Sequence, residues 1–259
     1  MKLIKAAVAL LALSVSSTGV VSAESVLKEI LESGTLKVGT TGDFNPMSVR
    51  DPATNSYKGY DIDVMQELAK DMGVEVEFVA TDWKTLVNGV VAGKYHLTGS
   101  ASISPARMKA AGFSESYLSV QILPFTTEDK VDRFDGWDSI NKPDVKVATT
   151  LGTTLEKHTR AWFPDAKITA MEAPARGYQD VLTGRSDVFV TSNLEGATLT
   201  EKHKNLRPVA VDAPRAPAAL AMLLPQDDQI WINYVNNWVK IKKLGGFFSA
   251  TAAKWGLAE

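Results

Sequence analysis

The stretch DIDVMQELAKDMGVEVEFVA, residues 61–80, decides the fold because it joins a helix to a strand through one glycine. Apolar residues recur in residues 61–72 at spacings of three and four, which predicts an amphipathic helix. Gly73 ends this helix, and residues 74–80 then alternate between apolar and polar types, as strands do. The stretch therefore predicts a helix that packs on a sheet.

The same alternation of strands and helices continues on both sides of this stretch. We predict helices at residues 25–33, 83–92, 155–162, 177–182, 229–244 and 247–255, and strands at residues 36–40, 95–98, 145–149, 168–171 and 187–191, with an apolar run at residues 220–224. Such an order predicts an α/β protein in which helices flank mostly parallel sheets.

Two separate blocks of this alternation, followed by a returning tail, predict two lobes. We place lobe 1 at residues 24–120 plus 216–259 and lobe 2 at residues 121–215. Two crossover hinge strands, expected within residues 117–126 and 212–217, would join the lobes.

Composition excludes several classes of protein. The chain has 259 residues, of which 45% are hydrophobic and 22% charged, so it is neither disordered nor a repeat of low complexity. Its formal net charge of −2 offers no basic excess for nucleic acid, and we expect no nucleic-acid partner. There is no cysteine and the three histidines are far apart in sequence, so we predict no metal site and no cofactor.

The first 23 residues have the pattern of an export signal. Lys2 and Lys5 precede an apolar run of about ten residues, which is too short to span a bilayer, and small residues lead to Ala23. We expect cleavage after Ala23 and a periplasmic mature protein. The alternative is a buried N-terminal helix.

Ligands of open α/β sheets bind beyond the carboxyl ends of the strands, and this rule selects four loops. The loops are residues 41–46, 99–107, 152–154 and 191–195. Hydroxyl-bearing candidates in them are Ser100, Ser102, Thr153, Thr154 and Ser192.

Arg107 and Glu195 are the charged candidates in these loops. The guanidinium of Arg107 suits a carboxylate, although Ser102 and Ser104 could instead cap a helix with Arg107 as a surface charge. Glu195 is either an exposed carboxylate at a helix start or, if buried, a general acid with a raised pKa.

Phe44 and Trp83 follow strand ends. In a cleft the two rings could hold a flat or cationic group from both sides. The alternative is that both rings fill the core of lobe 1.

Enzyme signatures such as a nucleophile elbow or a phosphate-binding loop are missing. The motifs GYDID (residues 59–63), SISPAR (residues 102–107) and FSESY (residues 113–117) resemble the periplasmic solute-binding proteins of the polar amino acid type. This resemblance covers the predicted mature chain. It implies a periplasmic binding protein fold that holds a small solute between its lobes and delivers it to the membrane permease of an ABC transporter. We expect a monomer.

The resemblance also assigns roles to residues. It implies that Arg107 binds the ligand carboxylate, with Ser102 and Thr154 as helpers and Phe44 and Trp83 around the ligand side chain.

The site departs from the family at the ammonium group. Ser192 stands where amino acid binders have an aspartate for the α-ammonium, and Thr41 replaces the acid of the first loop. A neutral Ser192 removes a charge partner of the ammonium, which favours a carboxylate, keto acid, sulfonate or betaine-like solute.

A second resemblance is to the cyclohexadienyl dehydratases, exported enzymes that share this fold and act on prephenate or arogenate. It is carried by TTGDFNP (residues 40–46), TDW (residues 81–83), LEKHTRA (residues 155–161) and TSNLE (residues 191–195). It implies that Glu195 is a proton donor, which would make the protein a carbon–oxygen lyase. Ser192 and the GSAS segment (residues 99–102) depart from that subgroup. We therefore favour a binding protein, with the dehydratase as the alternative and a sensory or structural exported protein remaining open.

Overall fold

The computed structural model describes residues 24–257, and the predicted export signal lies outside the described residues. The strands are β1 Thr35–Thr40, β2 Asp43–Phe44, β3 Ser48–Arg50, β4 Tyr57–Lys58, β5 Glu75–Ala80, β6 Leu97–Ser102, β7 Gly112–Phe113, β8 Leu118–Thr127, β9 Lys146–Thr150, β10 Lys167–Met171, β11 Val188–Ser192, β12 Leu206–Pro208 and β13 Arg215–Leu224. The helices are α1 Val26–Ser33, α2 Tyr60–Met72, α3 Leu86–Val91, α4 Pro105–Met108, α5 Thr154–Trp162, α6 Gly177–Leu182, α7 Asn193–Lys202, α8 Gln229–Leu244 and α9 Phe247–Lys254, with a 3₁₀ helix at Glu128–Arg133.

One long sheet runs through both lobes in the order β10-β9-β11-β8-β13-β6-β1-β5. The pairs β5–β1–β6 in lobe 1 and β10–β9–β11 in lobe 2 are parallel. Between them lie β8 and β13, which pair with each other in antiparallel fashion. Strand β8 corresponds to the crossover predicted within residues 117–126, whereas β13 extends well beyond the range of residues 212–217 predicted for the second crossover. The α/β architecture is the predicted one.

The apolar core is divided in the same way as the sheet. In lobe 1, α1 and α2 pack on β1, and α2 also packs on β6. Helices α8 and α9 pack on α1 and α2 respectively, and fully buried residues such as Leu68 and Trp231 lie in this core. In lobe 2 a separate cluster forms around Val147, Phe163 and Val190. Because the largest cluster of each lobe is separate and the lobes are linked by two strands, each lobe can keep its own packing if the lobes move relative to each other.

Helix α3 is shorter than predicted. The Asp82 carboxylate accepts a hydrogen bond from the backbone N–H of Thr85 (2.8 Å), so residues 82–85 form a turn and the helix begins at Leu86. Trp83 therefore lies on a turn at the end of β5 and not on a helix.

Strand β6 begins and ends later than predicted. Residues 99–102 were expected to form a loop, but Ala101 and Ser102 pair with Ala221 and Leu220 of β13. Pairing with the crossover strand outweighs the weak strand propensity of the GSAS segment. Ser100 and Ser102 thus lie on a strand in the middle of the molecule.

Within residues 24–257, no helix is both long and apolar enough to cross a membrane.

Candidate ligand-binding site

A cavity of about 560 Å³ lies between the two lobes, beside the paired strands β8 and β13. Its volume is within the range of small-molecule sites. All nine residues that the sequence selected line it: Phe44, Trp83, Ser100, Ser102, Arg107, Thr153, Thr154, Ser192 and Glu195. The residues that were selected because they follow strand ends therefore line one cavity, although they belong to two different lobes.

Arg107 is a buried cation on this cavity. Its side chain is 9% exposed, and one guanidinium nitrogen donates to the backbone carbonyl of Ser102 (3.1 Å). Among the described residues, no carboxylate lies within ion-pair distance of Arg107, and burial lowers its pKa. Ser104 caps helix α4 through its hydroxyl, as the alternative reading expected, but Arg107 is not a surface charge. A buried guanidinium without an anion favours a ligand that supplies one.

Three of the five hydroxyl candidates already hydrogen-bond within the protein. Ser100 donates to the Asp61 carboxylate (2.6 Å), and Thr153 donates to the carbonyl of Thr150 (2.6 Å) while it caps helix α5. Ser192 caps helix α7 by accepting from the backbone N–H of Glu195 (3.2 Å).

In the described part of the chain, the hydroxyls of Ser102 and Thr154 have no hydrogen-bond partner, although both residues line the cavity. The first turn of α5 also leaves backbone N–H groups without intrahelical acceptors. These groups are the ones that can help Arg107 to bind an anion.

Phe44 and Trp83 form a single wall of the cavity. Their rings contact each other edge to face, with centroids 6.0 Å apart and an angle of 70° between the planes. A ligand group therefore cannot lie between them, which corrects the expectation that they hold it from both sides. Trp83 is fixed in this position because its indole N–H donates to Asp43 (2.8 Å).

Glu195 is buried at the start of helix α7 and is 3% exposed. One carboxylate oxygen accepts from Arg176 (2.8 Å) and the other from the Thr191 hydroxyl (2.5 Å). Burial raises the pKa of Glu195, Arg176 and Thr191 oppose this effect, and the charge of Asp43 adds to it. The exposed-carboxylate alternative is therefore wrong for this residue.

A second buried acid lies behind the cavity. Asp61 of the GYDID motif is 7% exposed and accepts from Ser100 and from the Tyr117 hydroxyl (3.3 Å). Burial raises its pKa to about 7, and the two hydrogen bonds oppose this effect. Since Ser100 lines the cavity, Asp61 supports one wall of it from the core of lobe 1.

The sequence did not single out three residues of this region as site candidates. Asp43 and His158 line the cavity, and Arg176 contacts Glu195. Arg176 follows β10, so applying the strand-end rule to that strand would have selected it. Asp43 stands inside the TTGDFNP stretch and lines the cavity, whereas Thr41 does not.

A cavity between two α/β lobes that are joined by paired crossover strands defines a two-lobed solute-binding fold. Residues 36–258 match the family described as bacterial extracellular solute-binding proteins, family 3, and the chain belongs to this family.

Three known proteins illustrate the similarity. The chain is 32% identical over 250 residues to the cyclohexadienyl dehydratase of Pseudomonas aeruginosa, covering 96% of this chain and 92% of that protein. It is 26% identical over 234 residues to the L-cystine-binding protein TcyJ of Escherichia coli, covering 90% and 86%. The crystal structure of the ancestral amino acid-binding protein AncCDT-1, described as a precursor of cyclohexadienyl dehydratase, has a TM-score of 0.83 and 35% identity, covering 89% of this chain and 99% of that one. The predicted fold class and the predicted family are confirmed.

Proposed function

We propose that this protein is the periplasmic substrate-binding component of an ABC transporter and that it binds a small carboxylate, amino-acid-like or zwitterionic solute between its lobes. The observation that carries this proposal is Arg107, a buried guanidinium that faces a cavity of about 560 Å³ without a carboxylate partner in the described chain. A ligand carboxylate would compensate this charge. Ser102 and Thr154 would add hydrogen bonds from the two sides.

Closure of the lobes over the solute would create the form that the permease recognises. The proposal includes cleavage after Ala23, a monomer in solution, and lobe boundaries at residues 120–121 and 215–216. Both boundaries fall in or at the end of the crossover strands β8 and β13.

The test begins with a thermal-shift screen of the mature protein against amino acids, keto acids, betaines and prephenate. A ligand that binds only the folded state raises the melting temperature by mass action. For each ligand found, we expect Arg107→Ala to reduce the affinity by about 2–5 kcal/mol, measured by calorimetry. The control is Arg160→Ala, because the Arg160 side chain is 52% exposed and does not line the cavity. Unchanged affinity in Arg107→Ala would refute the proposed role of Arg107.

A second candidate function is supported by Glu195. Its burial and raised pKa suit a general acid, and the similarity to the dehydratase of Pseudomonas aeruginosa covers nearly the whole chain. In that case the protein would protonate the leaving hydroxyl of prephenate or arogenate.

The primary proposal predicts little formation of phenylpyruvate from prephenate. Turnover above about 1 s⁻¹ that is lost in Glu195→Gln would instead establish the dehydratase. Binding of prephenate without turnover would support the binding protein.

A further inference from the structure

Asp43, Arg176 and Glu195 form a charged cluster that spans the two lobes. Arg176 and Glu195 belong to lobe 2, and their contact measures 2.8 Å. Asp43 follows the first strand of lobe 1, and it lies 3.3 Å from the other terminal nitrogen of Arg176. The side chains of the two acids are 7% and 4% exposed. One guanidinium therefore serves two buried carboxylates, and the pair with Asp43 exists only while the lobes are in contact.

The charges around the cleft cavity can be counted. Asp43 and Glu195 supply two negative charges when both are ionised, and Arg176 and Arg107 supply two positive charges. Asp61, which lies behind Ser100, has a pKa raised to about 7. His158 also lines the cavity, but burial and the nearby Lys157 lower its pKa, so it is neutral at pH 7. Apart from Asp61, these charges cancel. A ligand carboxylate that pairs with Arg107 therefore leaves Asp43 and Glu195 to share the single positive charge of Arg176.

The other elements around Glu195 do not supply a compensating group. Strands β8 and β11, on which α7 packs, carry no titratable side chain. Arg207 of the neighbouring β12 is paired with Glu128 (3.0 Å). At the outer edge of the cleft, Lys84 and Glu172 pair with each other (2.8 Å).

The hydrogen-bond partners decide which carboxylate can accept a proton. Asp43 accepts from the indole N–H of Trp83 and forms an ion pair with Arg176 (3.3 Å), and neither of these partners can accept a proton from it. Glu195 has Arg176 on one oxygen and the Thr191 hydroxyl on the other. A hydroxyl can also accept, so a protonated Glu195 can donate to Thr191 without losing a hydrogen bond.

We propose that closure over a carboxylate ligand without an ammonium group takes up a proton on Glu195, whereas closure over a zwitterion does not. The ammonium of a zwitterion supplies the missing positive charge and leaves Glu195 ionised. This inference rests on the proposed binding of small carboxylates. It implies that the Asp43–Arg176–Glu195 cluster distinguishes ligands with an ammonium group from ligands without one. The resemblance had instead given the binding of the ammonium to the position of Ser192.

Isothermal titration calorimetry tests the proposal with phenylpyruvate and L-phenylalanine as probes, which share a benzyl group and differ at the α-substituent. Binding at pH 7 is measured in phosphate and in Tris, whose ionisation enthalpies differ, and the slope of the observed enthalpy gives the protons taken up. We expect about 0.5–1 proton with phenylpyruvate and about none with L-phenylalanine.

Three variants make this test specific. Glu195→Gln should abolish the uptake, and Asp43→Asn should reduce it because one negative charge is removed from the cluster. Asp144→Asn, which neutralises an exposed carboxylate that also pairs with an arginine, should leave it unchanged. Equal uptake for both probes, or uptake that persists in Glu195→Gln, would overturn the proposal.

A measurement without ligand separates this inference from the proposed function. The pKa of Glu195 in the folded protein is raised above its ordinary value of 4.5, so the folded state retains a proton that the unfolded state releases. The stability of the wild type relative to Glu195→Gln should therefore fall as the pH rises above 4.5, and Asp43→Asn should move this fall to lower pH. If the difference in unfolding free energy between the wild type and Glu195→Gln did not change between pH 4 and 8, the inference would be refuted, whether or not the probes bind. Failure of both probes to bind, with the pH dependence present, would count against the proposed ligands and not against the cluster.

Discussion

Gly152 provides a test of whether the lobes must come into contact for binding. It lies in the loop before helix α5 with φ of +75°, and its backbone faces lobe 1. A Cβ atom added at Gly152 would meet the backbone nitrogen of Lys84 at 2.9 Å and the carbonyl carbon of Trp83 at 3.1 Å. Backbone atoms cannot turn aside as a flexible side chain can. Gly152→Ala is therefore expected to hold the lobes apart.

The magnitude follows from two separate effects. An alanine with positive φ costs roughly 1–2 kcal/mol of folding free energy, whatever its surroundings. The close contact adds about 1–3 kcal/mol, as overpacking does, but only in the closed form. Since about 1.4 kcal/mol corresponds to a factor of ten, the ligand affinity should fall by about 5- to 150-fold.

Gly184→Ala is the matched control for this substitution. Gly184 also belongs to lobe 2 and also has φ of +75°, but an added Cβ would have no atom within 4 Å. Thermal unfolding of the ligand-free proteins should show similar losses for the two variants, and calorimetry should show weakened binding only for Gly152→Ala. Equal affinities in the two variants would mean that closure at this contact is not needed for binding.

Three further predictions concern the surroundings of the cleft. The pKa of Asp61 is raised to about 7, so the stability of the wild type relative to Asp61→Asn should decline as the pH rises from about 4 to 7, by at most about 1.4 kcal/mol per pH unit in unfolding experiments. The pair of Lys84 and Glu172 joins the lobes but is nearly half exposed, so a double-mutant cycle on ligand affinity should give a coupling below about 1 kcal/mol that weakens with added salt. Ser192→Asp keeps a residue that can cap helix α7 and adds an acceptor for an ammonium group. The affinity for L-phenylalanine relative to that for phenylpyruvate, measured by calorimetry, should therefore rise about 10- to 100-fold. An unchanged ratio would mean that the ammonium is bound elsewhere.

The sequence predicts the regular elements where hydrophobic periodicity is sustained. Helices α6 and α8 begin and end where the pattern placed them, and α2 differs by one residue. The small antiparallel sheet of β2, β3 and β4 was missed because strands of two or three residues are too short to show a period. The late start of α3 depends on one side-chain hydrogen bond, from Thr85 to Asp82, which no periodicity reveals.

The sequence predicts which residues line the candidate site, but it does not predict all the hydrogen bonds and ion pairs that these residues form. Residues such as Arg107 and Thr154 could be selected because they follow strands, and strand ends meet at one edge of a sheet. Which hydroxyls remain free was not predictable, because Ser100 is bound by Asp61 from a distant helix. The same holds for Arg176, whose contact with Asp43 forms only across the two lobes.

Binding of a zwitterion and dehydratase catalysis require opposite charge states of Glu195. A zwitterion is held best by an ionised Glu195, since the carboxylate then balances the ammonium. A dehydratase needs the proton on Glu195 before the leaving group departs. Burial and the charge of Asp43 favour the protonated form of Glu195, whereas Arg176 and the Thr191 hydrogen bond favour the ionised form. Because these effects oppose each other, the charge of the ligand decides which form predominates. A substrate with two carboxylates and no ammonium, such as prephenate, would bring Glu195 to the protonated state by binding. A zwitterion with a single carboxylate, such as L-phenylalanine, would instead leave Glu195 ionised. Proton uptake with prephenate is therefore consistent with a dehydratase but does not establish one, and the turnover assay with Glu195→Gln has to be interpreted together with the calorimetric measurement.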